Sequence, residues 1–246
     1  MNYRCIVQYD GTRYEGWQKQ KRTEETIQGK LEKTLRKITG EEVQVIGAGR
    51  TDAGVHSLGQ AVNFHLKGRW KAEELETALN GYLPDDIAFK HMETAEERFH
   101  SRFSALEKTY RYRIRTSTEK NVFERRFVWQ YGKPLDVEAM KKAAAFLIGT
   151  YDFISFCGNK KMKKSAVRCI SKIEMKEIKG ELQIDFTGDS FLQGMVRILV
   201  GTLVEVGEGK RKAESIPAVL ESKSREKAGF TAPPQGLTLI SVRYEI

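Results

Sequence analysis

Hydrophobic and polar residues alternate over residues 3–9, the period of a half-buried strand, and Asp10-Gly11 reads as the turn that ends it. The period then lengthens. Ile27, Leu31, Leu35 and Ile38 recur at helical spacing, with Thr26 as N-cap and Gly40 as stop. Residues 43–46 predict a short strand, and Val62, Phe64 and Leu66 mark another. Leu75, Ala78, Leu79 and Tyr82 predict a second helix, closed by the turn Leu83-Pro84-Asp85-Asp86, and residues 87–92 a further strand. The order is β-α-β-β-α-β, that of the ferredoxin-like unit.

The second half repeats the order without repeating the residues. Strands are predicted over residues 109–115 and, shorter, 127–131, followed by a helix from Asp136 that turns Met140, Ala144 and Leu147 inward. Strands over residues 167–178 and 181–187 are joined by a tight turn at Lys179-Gly180. Met195, Val196, Leu199, Val200 and Leu203 make a strongly apolar helix, and residues 238–246 close the pattern as a strand. The expected class is therefore α+β: two ferredoxin-like lobes with mainly antiparallel sheets and a basic cleft between them. The lobes are expected at residues 1–105 and 106–246, with the boundary near residues 104–107.

Composition narrows the class. With 40% hydrophobic and 30% charged residues the chain is neither disordered nor membrane-spanning, and its longest apolar runs are far too short for a bilayer. The start moves straight into a strand pattern without signal- or transit-peptide character, so a cytoplasmic location is expected. Cys5, Cys157 and Cys169 show no CxxC spacing and read as reduced thiols; His65, His91 and His100 lack metal-ligand spacing. No metal is expected. The net charge of +9 favours a polyanionic partner. Lys160, Lys161, Lys163, Lys164 and Arg168 crowd one predicted loop, and Arg111, Arg113 and Arg115 alternate along a strand. For the lysine run, phosphate contact and a merely solvated loop both remain open.

Between two predicted strands lies Gly47-Ala48-Gly49-Arg50-Thr51-Asp52-Ala53-Gly54. A dinucleotide fingerprint from Gly47 would need glycine where Asp52 stands, and a P-loop would need Gly-Lys-Ser or Gly-Lys-Thr, so a nucleotide cofactor is disfavoured. Two residues apart in an extended loop, Arg50 and Asp52 can lie on one side, and the guanidinium would keep the carboxylate ionised. Such a carboxylate can serve as nucleophile or base at a sugar or base carbon. From these residues alone, a solvated surface loop accounts for the segment equally well.

The stretch Gly49-Arg50-Thr51-Asp52-Ala53-Gly54-Val55-His56, followed by Gly59-Gln60, closely resembles the catalytic signature of the tRNA pseudouridine synthase A family. The resemblance extends along the chain. Tyr9-Asp10-Gly11 with Gly16-Trp17-Gln18, residues 80–87, Arg102-Phe103-Ser104-Ala105 and Tyr110-Arg111-Tyr112 all resemble the family. So do Phe191-Leu192 with Met195-Val196-Arg197, and Ala232-Pro233-Pro234 with Gly236-Leu237. Membership would imply an isomerase that breaks the N-glycosidic bond of a tRNA uridine, turns the base and rejoins it through C5, without a cofactor.

The resemblance also implies roles. Asp52 matches the essential aspartate, attacking the ribose C1′ or the pyrimidine C6, or assisting elimination. Arg50 matches an arginine that helps hold the target nucleotide out of the stack, since a base must leave its helix before its bond can be worked on. Tyr110 matches the tyrosine lining the uracil pocket; by pattern alone it is a core aromatic. Arg197 matches an arginine that pairs with the aspartate from the second lobe, and Leu237 a residue of the pocket floor. His56 and Gln60, inside the signature, are expected at the substrate, with loop anchoring the expected work of the His56 ring. Thr238 and Gln193-Gly194 depart from the family pattern. Family substrates are uridines on the 3′ side of the anticodon stem-loop, and family members are homodimers. A synthase for another RNA site and a non-catalytic tRNA-binding protein are the rival expectations.

Overall fold

A computed structural model of the chain describes residues 1–159 and 162–245. Lys160 and Lys161 of the lysine run lie outside the described residues. The class is α+β with mainly antiparallel strands. The described residues form ten strands and five α-helices and divide into two compact units, Met1–Leu106 with Thr238–Ile246, and Glu107–Leu237.

In the first unit, β1 (Asn2–Tyr9) is the central antiparallel strand between β3 (His56–His65) and β4 (Ile87–Ala95). The predicted alternation is visible in its side chains: Tyr3, Cys5, Val7 and Tyr9 are all buried. Helix α1 (Ile27–Thr39) starts where Thr26 accepts the Gly29 amide. It ends at Gly40, whose left-handed backbone (φ 74°) lets its amide reach the Arg36 carbonyl. Its Ile27, Leu31 and Leu35 join Leu75 and Leu79 of α2 (Ala72–Asn80), and Phe64 and Phe89 of the sheet, in one core.

Two expectations are corrected here. The strand expected at residues 43–46 is reduced to β2 (Ile46–Gly47), which pairs with Asn63 and Val62 of β3. Val43 and Val45 are buried all the same, and the Val45 backbone is bonded by Gln28 and Glu32 of α1 instead of by a strand. Tyr82 falls beyond α2 and is 57% exposed, with the Lys37 ammonium 4.4 Å above its ring. The last strand, β10 (Leu237–Arg243), runs parallel to β3, Thr238 opposite His56 and Leu239 opposite Ser57, so it extends the first unit's sheet. Its continuation is held by Tyr244, whose hydroxyl donates to the Ser101 carbonyl at 2.7 Å.

In the second unit the antiparallel order is β5 (Glu107–Arg115), β9 (Glu181–Gly188), β8 (Val167–Ile178) and β7 (Gly149–Asp152), with β6 (Trp129–Gln130) parallel to β5. The β8–β9 hairpin turns on Lys179 and Gly180, at φ 48° and 75°, the pair of positive angles a two-residue turn needs. Helix α3 (Val137–Ala145) is capped by Asp136, which accepts the Ala139 amide. Helix α4 (Met195–Gly207) is buried almost all round, and α5 (Ile216–Glu221) is short.

The arginines of β5 are not the open basic stripe their alternation suggested. Arg111 makes two bonds to Asp185, at 2.7 and 2.8 Å, and Arg113 bonds both Glu181 and Glu124. Arg115 donates to the Glu119 carbonyl. Each charge on this face is directed at a cross-strand or loop acceptor.

Among the described residues no helix is long and apolar enough to cross a membrane.

Candidate active site

The glycine-framed loop leaves β2 at Gly47 and enters β3 at His56, and nearly every residue in between is held by its backbone. The Ala48 amide donates to the Ala61 carbonyl at 2.8 Å, extending the β2–β3 ladder by one bond. Gly49 is then clamped by the side chain of Gln60. The Gln60 Nε2 donates to the Gly49 carbonyl at 2.7 Å, and the Gly49 amide donates to Gln60 Oε1 at 3.2 Å. An amide side chain thus imitates the next rung of the sheet where the strand has already turned away.

Thr51 turns inward. It is buried, its hydroxyl 2.9 Å from that of Tyr9 and its carbonyl accepting the Trp17 amide at 3.0 Å. Thr51 faces the protein, while its neighbour Arg50 is exposed and Asp52 half-buried. Asp52 begins a tight turn in which the Val55 amide returns to its carbonyl at 3.2 Å. Gly54 takes the positive angle the turn demands (φ 77°), and its amide donates to the Tyr14 carbonyl at 3.3 Å. The exit is tied down by His56, whose Nδ1 accepts the Gly11 amide at 3.0 Å and lies 3.2 Å from Asp10 Oδ1.

The segment after β1 is shaped to receive this loop. Gly16 has φ 94°, and a Cβ there would stand 2.8 Å from the Thr51 carbonyl oxygen. A Cβ on Gly11 would stand 2.0 Å from the Val55 oxygen, and the Trp17 ring occupies the place a Gly47 Cβ would need. Burial raises the pKa of the Tyr9 hydroxyl well above the tyrosine range, so it stays a neutral hydrogen-bonding group beneath the loop.

Arg50, Asp52, His56 and Gln60 all belong to the first unit. His56 and Gln60 are buried; Gln60 bonds the Gly49 backbone of the loop that carries Asp52, and His56 ties the loop's exit to Gly11 of the segment after β1. Tyr110, Arg197 and Leu237 belong to the second unit. Tyr110 lies on the buried face of β5 with Tyr112 and Ile114, and the Phe191 ring meets it edge-on at 5.2 Å. Arg197, half-buried on α4, is linked to Ala232 twice: its Nε donates to the Ala232 carbonyl at 2.7 Å, and its own carbonyl accepts the Ala232 amide at 3.0 Å.

Farther along the same segment, Tyr112 donates to the Pro233 carbonyl at 2.7 Å, and its ring leaves no room for a side chain at Gly236. Leu237 follows, buried. Gln193 is exposed and Gly194 supplies the left-handed residue (φ 69°) that opens α4. Tyr9, Gly16 and Trp17, the loop's supports, were recognisable only as part of the family-like opening; no local pattern assigns them that work. Among the described residues no three of His, Cys, Asp and Glu come together as a metal site would require.

Comparison with known proteins gives a concordant result. A family model described as tRNA pseudouridine synthase matches residues 5–104 and 143–245. The chain is 45% identical over 243 residues to a tRNA pseudouridine synthase A of Thermoanaerobacter sp. (strain X514), covering 99% of each chain. It is 44% identical to the tRNA pseudouridine synthase A of Geobacillus sp. (strain WCH70), over 98% of each. It is 41% identical to a tRNA pseudouridine synthase A 2 of Bacillus anthracis, over 99% of each.

Proposed function

The chain belongs to the tRNA pseudouridine synthase family, and from that premise we propose that Asp52 is the carboxylate on which its conversion of uridine to pseudouridine turns. The reaction is an isomerisation within tRNA. The bond from N1 to the ribose C1′ breaks, a bond from C5 to C1′ forms, C5 gives up its proton and N1 gains one. Atoms and oxidation state are conserved, so this reading calls on no cofactor.

The observation that carries the assignment is the anchoring of the loop. Gly49, Thr51 and Gly54 are each fixed by a partner, and Asp52 stands half-buried among them. A carboxylate so mounted meets a substrate with little freedom to lose, which is where positioned groups gain most of their rate. Attack at C1′, attack at C6 and assistance to elimination all draw on the same ionised Asp52. Arg50 holds the extruded nucleotide, and Gln60 and His56 act on the substrate through the loop they brace. Tyr110 lines the uracil pocket and receives the C5 proton, Arg197 pairs with Asp52, and Leu237 forms the pocket floor.

In this reading the chain comprises two ferredoxin-like lobes, residues 1–105 and 106–246, flanking a basic cleft that takes tRNA. Residues 238–246 belong to the second lobe by chain order, although Thr238 and Leu239 pair with β3 of the first unit. The enzyme works in the cytoplasm as a homodimer on the 3′ side of the anticodon stem-loop. The +9 charge supports a phosphate-rich partner read by shape.

The test is to incubate unmodified tRNA with the wild-type chain and with Asp52→Ala, then map pseudouridine at nucleotide resolution. Pseudouridine is expected in the anticodon arm with wild type and nowhere with the variant. Product confined to another region would refute the substrate site and leave the enzyme class.

A further inference from the structure

We propose that the turn at residues 100–103 mounts Phe103 as a stacking platform for an unpaired base of the tRNA, a contact outside the catalytic loop; this rests on the tRNA reading above. Phe103 is 79% exposed. A lone exposed apolar residue is ordinary, but one that is rigidly mounted is not. The His100 ring stacks on Phe103, centroids 4.2 Å apart and planes 30° apart, and its Nδ1 accepts the amides of Arg102 and Phe103 at 3.2 and 3.3 Å.

Beneath the turn, two buried asparagines hold the chain. Asn63 accepts the Ser101 amide at 2.9 Å and donates to the Asn2 side chain at 3.1 Å. Asn2 in turn donates to the carbonyls of Glu96 and Phe99 at 2.8 and 3.0 Å. Buried polar groups are costly unless satisfied, and a satisfied network stiffens what it holds.

What this network presents to solvent is the Phe103 ring, next in the chain to the exposed Arg102. A fixed ring loses little freedom on stacking, and a ring next to a cation suits a base joined to its phosphate better than an apolar peptide. Asn63 lies three residues along β3 from Gln60, the clamp of the Asp52 loop, so one strand anchors the turn and the loop on its opposite faces.

The experiment measures tRNA affinity for wild type and for Phe103→Ala, Phe103→Leu and Phe103→Trp, with thermal midpoints as folding controls. Alanine and leucine are expected to weaken binding by about ten-fold, and tryptophan to stay within about two-fold of wild type with its emission quenched by tRNA. The salt slope should be unchanged in Phe103→Ala but shallower by about one in Arg102→Ala, which loses a phosphate contact. Wild-type affinity in Phe103→Ala, or leucine serving as well as phenylalanine, overturns the proposal. So does a change in sedimentation of Phe103→Ala, which would make the ring a subunit contact. An Asp52→Ala variant that still forms pseudouridine would refute the catalytic reading instead and leave these affinities to stand by themselves.

Discussion

Replacing Gln60 by leucine tests whether the loop's geometry, and not merely its sequence, makes Asp52 reactive. The substitution nearly conserves volume in a fully buried site and removes both bonds to Gly49. Each hydrogen bond is worth about 0.5–1.5 kcal/mol net, and Gly49 is half-buried, so water can replace part of what is lost. The expected destabilisation is therefore about 1–3 kcal/mol, or about 2–12 °C in thermal midpoint for a chain of this size.

The effect on chemistry should be larger in proportion. A displacement of about 1 Å in a reacting group can cost about a hundred-fold in rate. Urea unfolding gives the stability, and single-turnover pseudouridine formation with enzyme in excess over tRNA gives the rate. We expect the rate to fall at least ten-fold, with tRNA affinity changed less than three-fold. A variant that is destabilised as expected but turns over at the wild-type rate would refute the argument, because the clamp would then be irrelevant to where Asp52 sits.

Gly16→Ala should act on the same loop from the other side. The new Cβ falls 2.8 Å from a backbone oxygen at φ 94°, and we expect a loss of about 1–3 kcal/mol in urea unfolding together with a slower single turnover. Arg111→Ala should lower stability through the abandoned Asp185 while leaving the salt slope of tRNA binding unchanged; a shallower slope would mean that Arg111 meets phosphate after all. Alkaline stability should fall above pH 10. Burial raises the pKa of Tyr9, Tyr14, Tyr112, Tyr131 and Tyr244, with Tyr131, bonded to Glu208, pushed up to about 12. The folded chain therefore holds these protons more tightly than the unfolded one. The stability they confer is full below the unfolded value near 10 and drains away as pH rises through the folded values. Ultraviolet titration of tyrosinate against unfolding checks this: early ionisation of all nine tyrosines without unfolding would contradict it.

Features readable from the sequence were those set by neighbours in the chain. Thr26 and Gly40 bound α1 because a cap and a left-handed stop act within a turn of the helix. Lys179-Gly180 announced its hairpin for the same reason. What escaped depends on distant partners. The alternation of Arg111 and Arg113 suggested a basic stripe, since Asp185 and Glu181 stand some seventy residues away. Residues 43–46 had a strand's composition, but side chains of α1 bond that backbone. Likewise, the glycines around Asp52 marked a special loop, while the reason it holds one shape lies in Tyr9, Gly16 and Gln60.

The central claim, that Asp52 performs the isomerisation, is tested most directly by Asp52→Asn, which keeps the side chain's size and removes its charge. With enzyme in excess over tRNA carrying tritium at uridine C5, release of tritium reports departure of the C5 proton. We predict no release above background from Asp52→Asn, with tRNA affinity within about three-fold of wild type, since the loop's anchors are untouched. Release at the wild-type rate would contradict the account.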